Sequence, residues 1–300
     1  MVRRIGMAWS GALLVAGLVG AVRLEAQAGR AALDEGIRHF EANQPGKAEK
    51  AFERAIAAES GVGLYHLWLG RAIGVQTVNA SVLRQPFLAR RTRSAFEKAV
   101  ELDPSLLDAR DHLIEYYLQA PGVMGGSKEK AREQAAEIAR RDASRGHLAL
   151  SRIAWHGRDT VGTERAARDA IAAAPDSVGP VVLLAQRLES WKRVPEAFAL
   201  LDAFLARHPD DVAANFRLGR LATTSGQQLA RGEAAFRRVL AAPDWPSAPY
   251  RPSRAAVQFR LGTLLERSGR PDAASAAYRA ALALDPDLKA AQSALDALKD

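Results

Sequence analysis

From residue 29 onward the apolar positions fall into helical stretches separated by glycines and prolines, and one spacing of small and large apolar residues keeps returning. Its clearest copy lies near the C-terminus, where Leu261-Gly262 is followed by Gly269, Ala274, Tyr278, Ala281 and Pro286. Each residue type has a physical task in a helical hairpin. Gly262 and Ala274 lack bulk, which suits a close crossing of the two helices. Tyr278 and Ala281 are expected to form a large knob and a small hole facing the next unit. Gly269 ends the first helix, and Pro286 stops the second because it has no N–H to donate to the helical ladder.

The same spacing can be slid upstream. Leu218-Gly219 leads to Gly226, Phe236, Val239 and Pro243, with one residue inserted in the turn. Ala185, Ala197, Leu201, Phe204 and Pro209 keep the register, and Ser151, Thr163, Ala167, Ala170 and Pro175 keep it more loosely. Leu69-Gly70 opens a unit closed by Phe96, Ala99 and Pro104 after a lengthened turn. Leu113 to Ile138 fits with an enlarged turn, and Gly36, Ala48, Phe52 and Ala55 supply the first unit. Leu288 to Leu298 reads as a final amphipathic helix. This pattern resembles the tetratricopeptide repeat, a helix–turn–helix unit of about 34 residues. The resemblance implies an all-α, right-handed α-solenoid of about seven hairpins with a C-terminal capping helix. A single hairpin cannot bury its own apolar face, so such a chain folds by stacking.

Composition agrees with that class. Hydrophobic residues make up 48% of the chain and aromatics only 6%, so small apolar side chains and strong helix formers dominate. The formal charge of +8 is mild, and acidic residues are interleaved with basic ones along the helices. No basic, aromatic-rich motif of a nucleic-acid-binding module appears, and no nucleic-acid partner is expected. The absence of cysteine excludes disulfides, thiol catalysis and cysteine-bound metal. The N-terminus reads as an export signal. Arg3 and Arg4 precede an apolar run from Ile5 to Val22, and Ala26-Gln27-Ala28 has the small residues a signal peptidase reads. A periplasmic or secreted location is expected after cleavage. An uncleaved run would instead anchor the chain in the inner membrane, facing the periplasm.

Catalytic chemistry is hard to find. The six histidines show neither an H-E-x-x-H arrangement nor i, i+4 spacing, and each reads as a solvated or helix-end side chain. Nucleophile elbows, phosphate loops and dinucleotide fingerprints are missing. No catalytic residue, cofactor, metal or small-molecule substrate is expected, and the chain is read as a non-enzyme. Three irregular segments draw attention: the enlarged turn from Ala120 to Ser127, the stretch from Val75 to Arg93 with its basic edge, and a proline-rich connector around Pro243 to Pro252.

The expected organisation is a signal or anchor at 1–28, N-terminal repeats with enlarged turns at 29–143, central repeats at 144–242, the connector at 243–254, and the last repeat with its cap at 255–300. In repeats of this type the first helix of each hairpin lines a groove. The groove-facing offsets select Arg71, Glu115, Leu148, Arg152, Trp155, Gln186, Phe216, Arg220 and Phe259 as a candidate surface. Leu67, Leu118 and Thr223 share those offsets. Arginines and aromatics are the residue types that anchor interfaces. The expected function is a scaffold of the cell envelope that binds a protein or an extended peptide, with a membrane-anchored assembly factor and the regulatory part of an enzyme as alternatives.

Overall fold

The computed structural model describes the backbone of residues 9–243 and 252–298, with side chains from residue 25 onward. Among the described residues there are fifteen α-helices and no strand. In chain order they make seven helix pairs and a last single helix. Contacts divide the chain after Gly157 into an N-terminal and a C-terminal unit.

The N-terminal unit contains α1 (Trp9–Glu41), α2 (Pro45–Ala58), α3 (Gly63–Val78), α4 (Gln85–Leu102), α5 (Leu107–Gln119), α6 (Lys128–Ala139) and α7 (Ala143–His156). The C-terminal unit contains α8 (Thr160–Ala173), α9 (Val178–Ser190), α10 (Val194–Leu205), α11 (Val212–Ser225), α12 (Leu229–Ala241), α13 (Arg254–Arg267), α14 (Pro271–Leu284) and α15 (Lys289–Ala297). The final helix is the expected cap, burying Ala291 and Leu295. Most of the proline-rich connector, including Trp245 and Tyr250, lies outside the described residues.

Helix starts follow local chemistry. Proline opens α2, α4, α10 and α14, where its missing N–H costs nothing. Side-chain oxygens of Ser127, Asp142, Asp159, Asp211 and Ser253 accept the first free N–H groups of α6, α7, α8, α11 and α13. The turns inside the hairpins need one left-handed residue. Gly226 and Gly269 take it at φ +72°, while Asn43, Arg158 and Lys192 fill the equivalent place in other turns.

One packing device recurs within the hairpins. A Cβ on Gly36, Gly70, Gly219 or Gly262 would come within 2.3, 2.5, 2.6 and 2.5 Å of the rings of Phe52, Phe96, Phe236 and Tyr278, respectively. The glycine on the first helix is therefore a socket for the aromatic on the second. This corrects the assignment of Tyr278, whose ring packs against Gly262 of its own hairpin. Among the described side chains of α1, burial changes around residue 29. Glu25, Gln27 and Ala28 are exposed, whereas Gly29, Ala32 and Leu33 are buried. No described helix is long and apolar enough to cross a membrane.

Both irregular segments of the N-terminal unit turn out to be ordered. Val75–Arg93 lengthens the second hairpin: α3 runs to Val78 and α4 starts at Gln85, so Arg90, Arg91 and Arg93 sit on α4 and Arg84 just before it. The turn after α5 folds into a short 3-10 segment, Gly122–Met124. Gly126 closes it so tightly that a Cβ there would lie 1.8 Å from the Ala120 carbonyl oxygen.

Candidate binding surfaces

Helices α3, α5 and α7 of the N-terminal unit present a ladder of alternating charges. Arg71 on α3 donates to Asp108 Oδ2 at 2.6 Å and to His112 Nε2 at 3.1 Å, and its guanidinium lies 4.7 Å from the Trp68 ring centre. Arg145 on α7 donates to Asp108 Oδ1 at 2.5 Å and to Asp111 Oδ2 at 2.7 Å. Arg152 pairs with Asp111, and more distantly with Glu115 at 3.5 Å. Three arginines thus meet three carboxylates on three helices. The Arg145 hydrogen bond, with Arg71 behind it, holds the Asp108 carboxyl below its ordinary range.

His112 departs from the expectation of a solvated side chain. Its ring stacks on Phe96 at 4.7 Å and accepts from Arg71, so Nδ1 carries its proton. Burial, reinforced by the Arg71 charge, pushes it below 6.5 and keeps it neutral.

Beside this ladder the same unit contains a cavity of about 690 Å³. Its walls are the last turn of α3 (Gly74, Thr77, Val78), the start of α4 (Pro86, Ala89, Thr92, Phe96) and α5 (His112, Glu115, Tyr116, Gln119). Ala120, Pro121 and Met124 of the enlarged turn complete it. Two hydrogen bonds fasten that turn: Tyr116 Oη and Arg93 Nη1 both donate to the Met124 carbonyl, at 2.8 and 3.2 Å. The two sequence irregularities therefore line one space.

In the C-terminal unit the balance of charge is different. Arg217 on α11 is only 4% exposed and is paired with Glu189 of α9. Arg220, one turn on, and Arg260 on α13 have no carboxylate partner among the described residues. Burial and then the charge of Arg220 lower the basicity of Arg260. The pKa of Arg217 falls as well, first through burial, and Arg220 again acts against its charge. The two arginines are bordered by Phe216, whose ring is 5.8 Å from Phe236, and Phe259, 5.7 Å from Tyr278. The Arg260 guanidinium lies 5.6 Å from the Phe259 ring. The nearby Glu266 is occupied by the Tyr278 hydroxyl at 2.6 Å; burial and that carboxylate push the phenol up to about 12.

Two family models of the tetratricopeptide repeat match the chain, one over residues 255–288 and the other over 33–73 and 184–249. The chain is a tetratricopeptide-repeat protein. The solved structure of a tetratricopeptide repeat protein from Parabacteroides merdae is 12% identical, with a TM-score of 0.52 over 91% of this chain and 100% of that one. Yeast Tom70 is 13% identical with a TM-score of 0.63, over 90% of this chain and 56% of that one. At such identities the likeness shows the fold alone. No curated protein matches the sequence.

Within this repeat protein the nine candidate groove residues divide by unit. Arg71, Glu115, Leu148, Arg152 and Trp155 belong to the N-terminal unit, and Gln186, Phe216, Arg220 and Phe259 to the C-terminal one. Arg71, Glu115 and Arg152 are members of the internal ladder. Leu148 is half-buried, and Trp155 is 38% exposed. Gln186 is exposed. Leu67, Leu118 and Thr223, which share the groove-facing offsets, are buried; the Thr223 hydroxyl donates to the Gly219 carbonyl of its own helix. Sequence offsets missed Arg145, Asp108 and Arg260, because each stands off the groove-facing offsets; Asp108 joins the ladder through the long side chains of Arg71 and Arg145 that reach it. The arginine at 260 had one available signal: it stands two residues before Gly262, as Arg217 stands two before Gly219. Among the described residues no group of three potential ligands is placed to hold a metal ion.

Proposed function

We propose that this protein is an interaction scaffold of the cell envelope whose C-terminal unit grips an extended, acidic segment of a partner protein. The observation that carries the reading is the pair Arg220 and Arg260, without a carboxylate partner among the described residues and flanked by Phe216 and Phe259 on α11 and α13. Guanidinium groups beside aromatic faces suit carboxylate side chains spaced along an extended chain, because each can take a bidentate acceptor while its stem packs on a ring. The ladder of the N-terminal unit supports the same placement by contrast, since its arginines already hold carboxylates of their own.

Envelope location rests on the first 28 residues. Arg3, Arg4, the apolar run and Ala26-Gln27-Ala28 form an export pattern. Among the described side chains of the first hairpin, Gly29 is the first buried residue, just beyond that site, which supports cleavage there. Retention of residues 5–22 would make the chain a membrane-anchored assembly factor instead. N-terminal sequencing of protein recovered from the envelope separates the two: a start at Gly29 supports export and cleavage, and an intact Met1 supports the anchor.

Fluorescence anisotropy with labelled glutamate-rich peptides tests the groove. Replacing Arg220 and Arg260 by alanine should weaken binding at least tenfold and flatten its salt dependence. Replacing Arg168 and Arg237, which pair with Glu164 and Glu233 on their own helices, should leave it unchanged. Equal losses in both pairs would mean general charge attraction and overturn the groove assignment.

A further inference from the structure

The cavity of the N-terminal unit shares only Glu115 with the candidate groove residues and has the chemistry of a ligand site. Its volume of about 690 Å³ falls within the roughly 300–1,000 Å³ of small-molecule pockets. The polar groups in its wall are largely satisfied by the protein itself. Thr77 and Thr92 donate to the carbonyls of Ile73 and Leu88 on their own helices, at 2.8 and 2.9 Å. Gln85 donates to the Ala80 carbonyl at 3.1 Å, and the Tyr116 hydroxyl is taken by Met124. The Glu115 carboxylate in the wall accepts from Gln119 at 3.4 Å and faces Arg152 at 3.5 Å; the rest of the lining is mostly hydrocarbon, so the buried part of the ligand must be apolar.

The mouth adds two observations. Val82, which lines the cavity, is 80% exposed, and its neighbour Leu83 is 93% exposed. Val78, Phe87 and Val123 are also exposed large apolar residues on the same segments. Apolar side chains gathered beside an apolar cavity mark a binding surface more often than chance exposure does. The charge beside them is positive. Arg84 stands between the lining residues Val82 and Gln85, and Arg90 follows one helical turn after Pro86. Both are exposed, and neither has a carboxylate partner among the described residues. Arg91, by contrast, is committed to Glu49 and Glu53.

We propose that this cavity takes the hydrocarbon chain of a single-chain anionic amphiphile, such as a fatty acid or a lysolipid, with its head group at Arg84 and Arg90. The apolar lip covers the part of the chain nearest the head, and the enlarged turn, fastened through Met124, forms the far wall. This site is independent of the acidic-peptide groove.

The test uses the full chain and cis-parinaric acid as a fluorescent probe, displaced by fatty acids of increasing length. Each added methylene should tighten binding about fourfold until the cavity is filled. The acid should bind more tightly than the alcohol of equal length, and the alkyl amine least. Replacing both Arg84 and Arg90 by alanine should weaken the acid about fivefold per arginine and leave the alcohol unchanged. Ala89→Trp should abolish uptake by filling the cavity. Leu83→Asp, at a fully exposed position that folding does not need, should weaken every chain length. Affinity that is flat with chain length, an amine that binds as well as the acid, or uptake unchanged in both Ala89→Trp and Leu83→Asp would each overturn the proposal. So would the absence of uptake, including the case in which the apolar residues 5–22 occupy the cavity.

Discussion

The two units are built from the same hairpin and use arginine in opposite ways. In the N-terminal unit Arg71, Arg145 and Arg152 meet Asp108, Asp111 and Glu115, so three cations find three anions across α3, α5 and α7. At the corresponding positions of the C-terminal unit Glu189 takes Arg217 and the Thr224 hydroxyl, and Arg220 and Arg260 have no carboxylate partner among the described residues. A paired ladder stiffens a stack of helices and offers little to a charged partner. A surplus of cations costs a little in self-repulsion and is relieved when an anion arrives. The same residue type at similar repeat positions is thus structural in one unit and available for binding in the other. The carboxylates across the groove make the difference.

The sharpest way to break this comparison is Glu189→Gln. It leaves the nearly buried Arg217 without its counter-charge, and loss of one partner of a buried pair costs about 3–5 kcal/mol. Urea unfolding of the C-terminal unit should show it, and a cost below about 1 kcal/mol would mean that Arg217 is solvated. Asp111→Asn in the other unit should cost less, about 1–3 kcal/mol, because Arg145 and Arg152 keep Asp108 and Glu115.

Gly70→Leu and Gly262→Leu probe what the units share. Each drives a side chain into the aromatic socket of its hairpin, and overpacking of this kind costs about 1–3 kcal/mol. Hydrogen exchange should show the loss in the mutated hairpin and its neighbours, since each repeat touches only the next. Uniform loss along the chain would argue against a stack of hairpins.

Acid should act on the N-terminal ladder in two stages. His112 is held neutral below its ordinary 6.5, so its contribution is complete above that value and falls as pH drops below it. Its surroundings carry both signs, Arg71 and Arg152 against Asp108 and Asp111. Asp108, depressed from 3.8, contributes above that value and is lost only as pH falls through its lower one. His112→Phe, which keeps a ring against Phe96, should flatten the upper stage in denaturant midpoints measured across it. Part of the slope should persist, because burial also lowers His66. An unchanged slope would place the titration elsewhere.

The smallest effect is expected from Arg220→Ala and Arg260→Ala. Their stability changes should stay within about 0.5 kcal/mol, with a bias toward stabilisation as like charges are removed. A clear destabilisation in thermal melts would show that these arginines hold the fold and are not reserved for a partner.

The repeat could be read from the sequence because hairpin packing leaves a one-dimensional record. Gly219 and Phe236, or Gly262 and Tyr278, are separated by fixed distances along the chain, and the spacing survives when neighbouring residues change. Helix ends were legible for the same reason, through Gly269 and Pro286. The sockets themselves were read less well, since the ring of Tyr278 was assigned to the following repeat. The groove-facing offsets on α5, α7 and α11 brought Arg152 and Arg220 forward as candidates.

Sequence by itself therefore determined the hairpin unit, the number of hairpins and the final capping helix. Only the tertiary structure decided which charges are spent. Arg71 reaches Asp108 across 37 residues, and Arg152 reaches Asp111 across 41, and neither distance is written in a local pattern. The cavity is likewise invisible in the sequence, because its walls come from two turns separated by the whole of α4 and α5. Periodicity records what each helix buries against its neighbours, whereas pairing and enclosure depend on side-chain reach between helices distant in the chain.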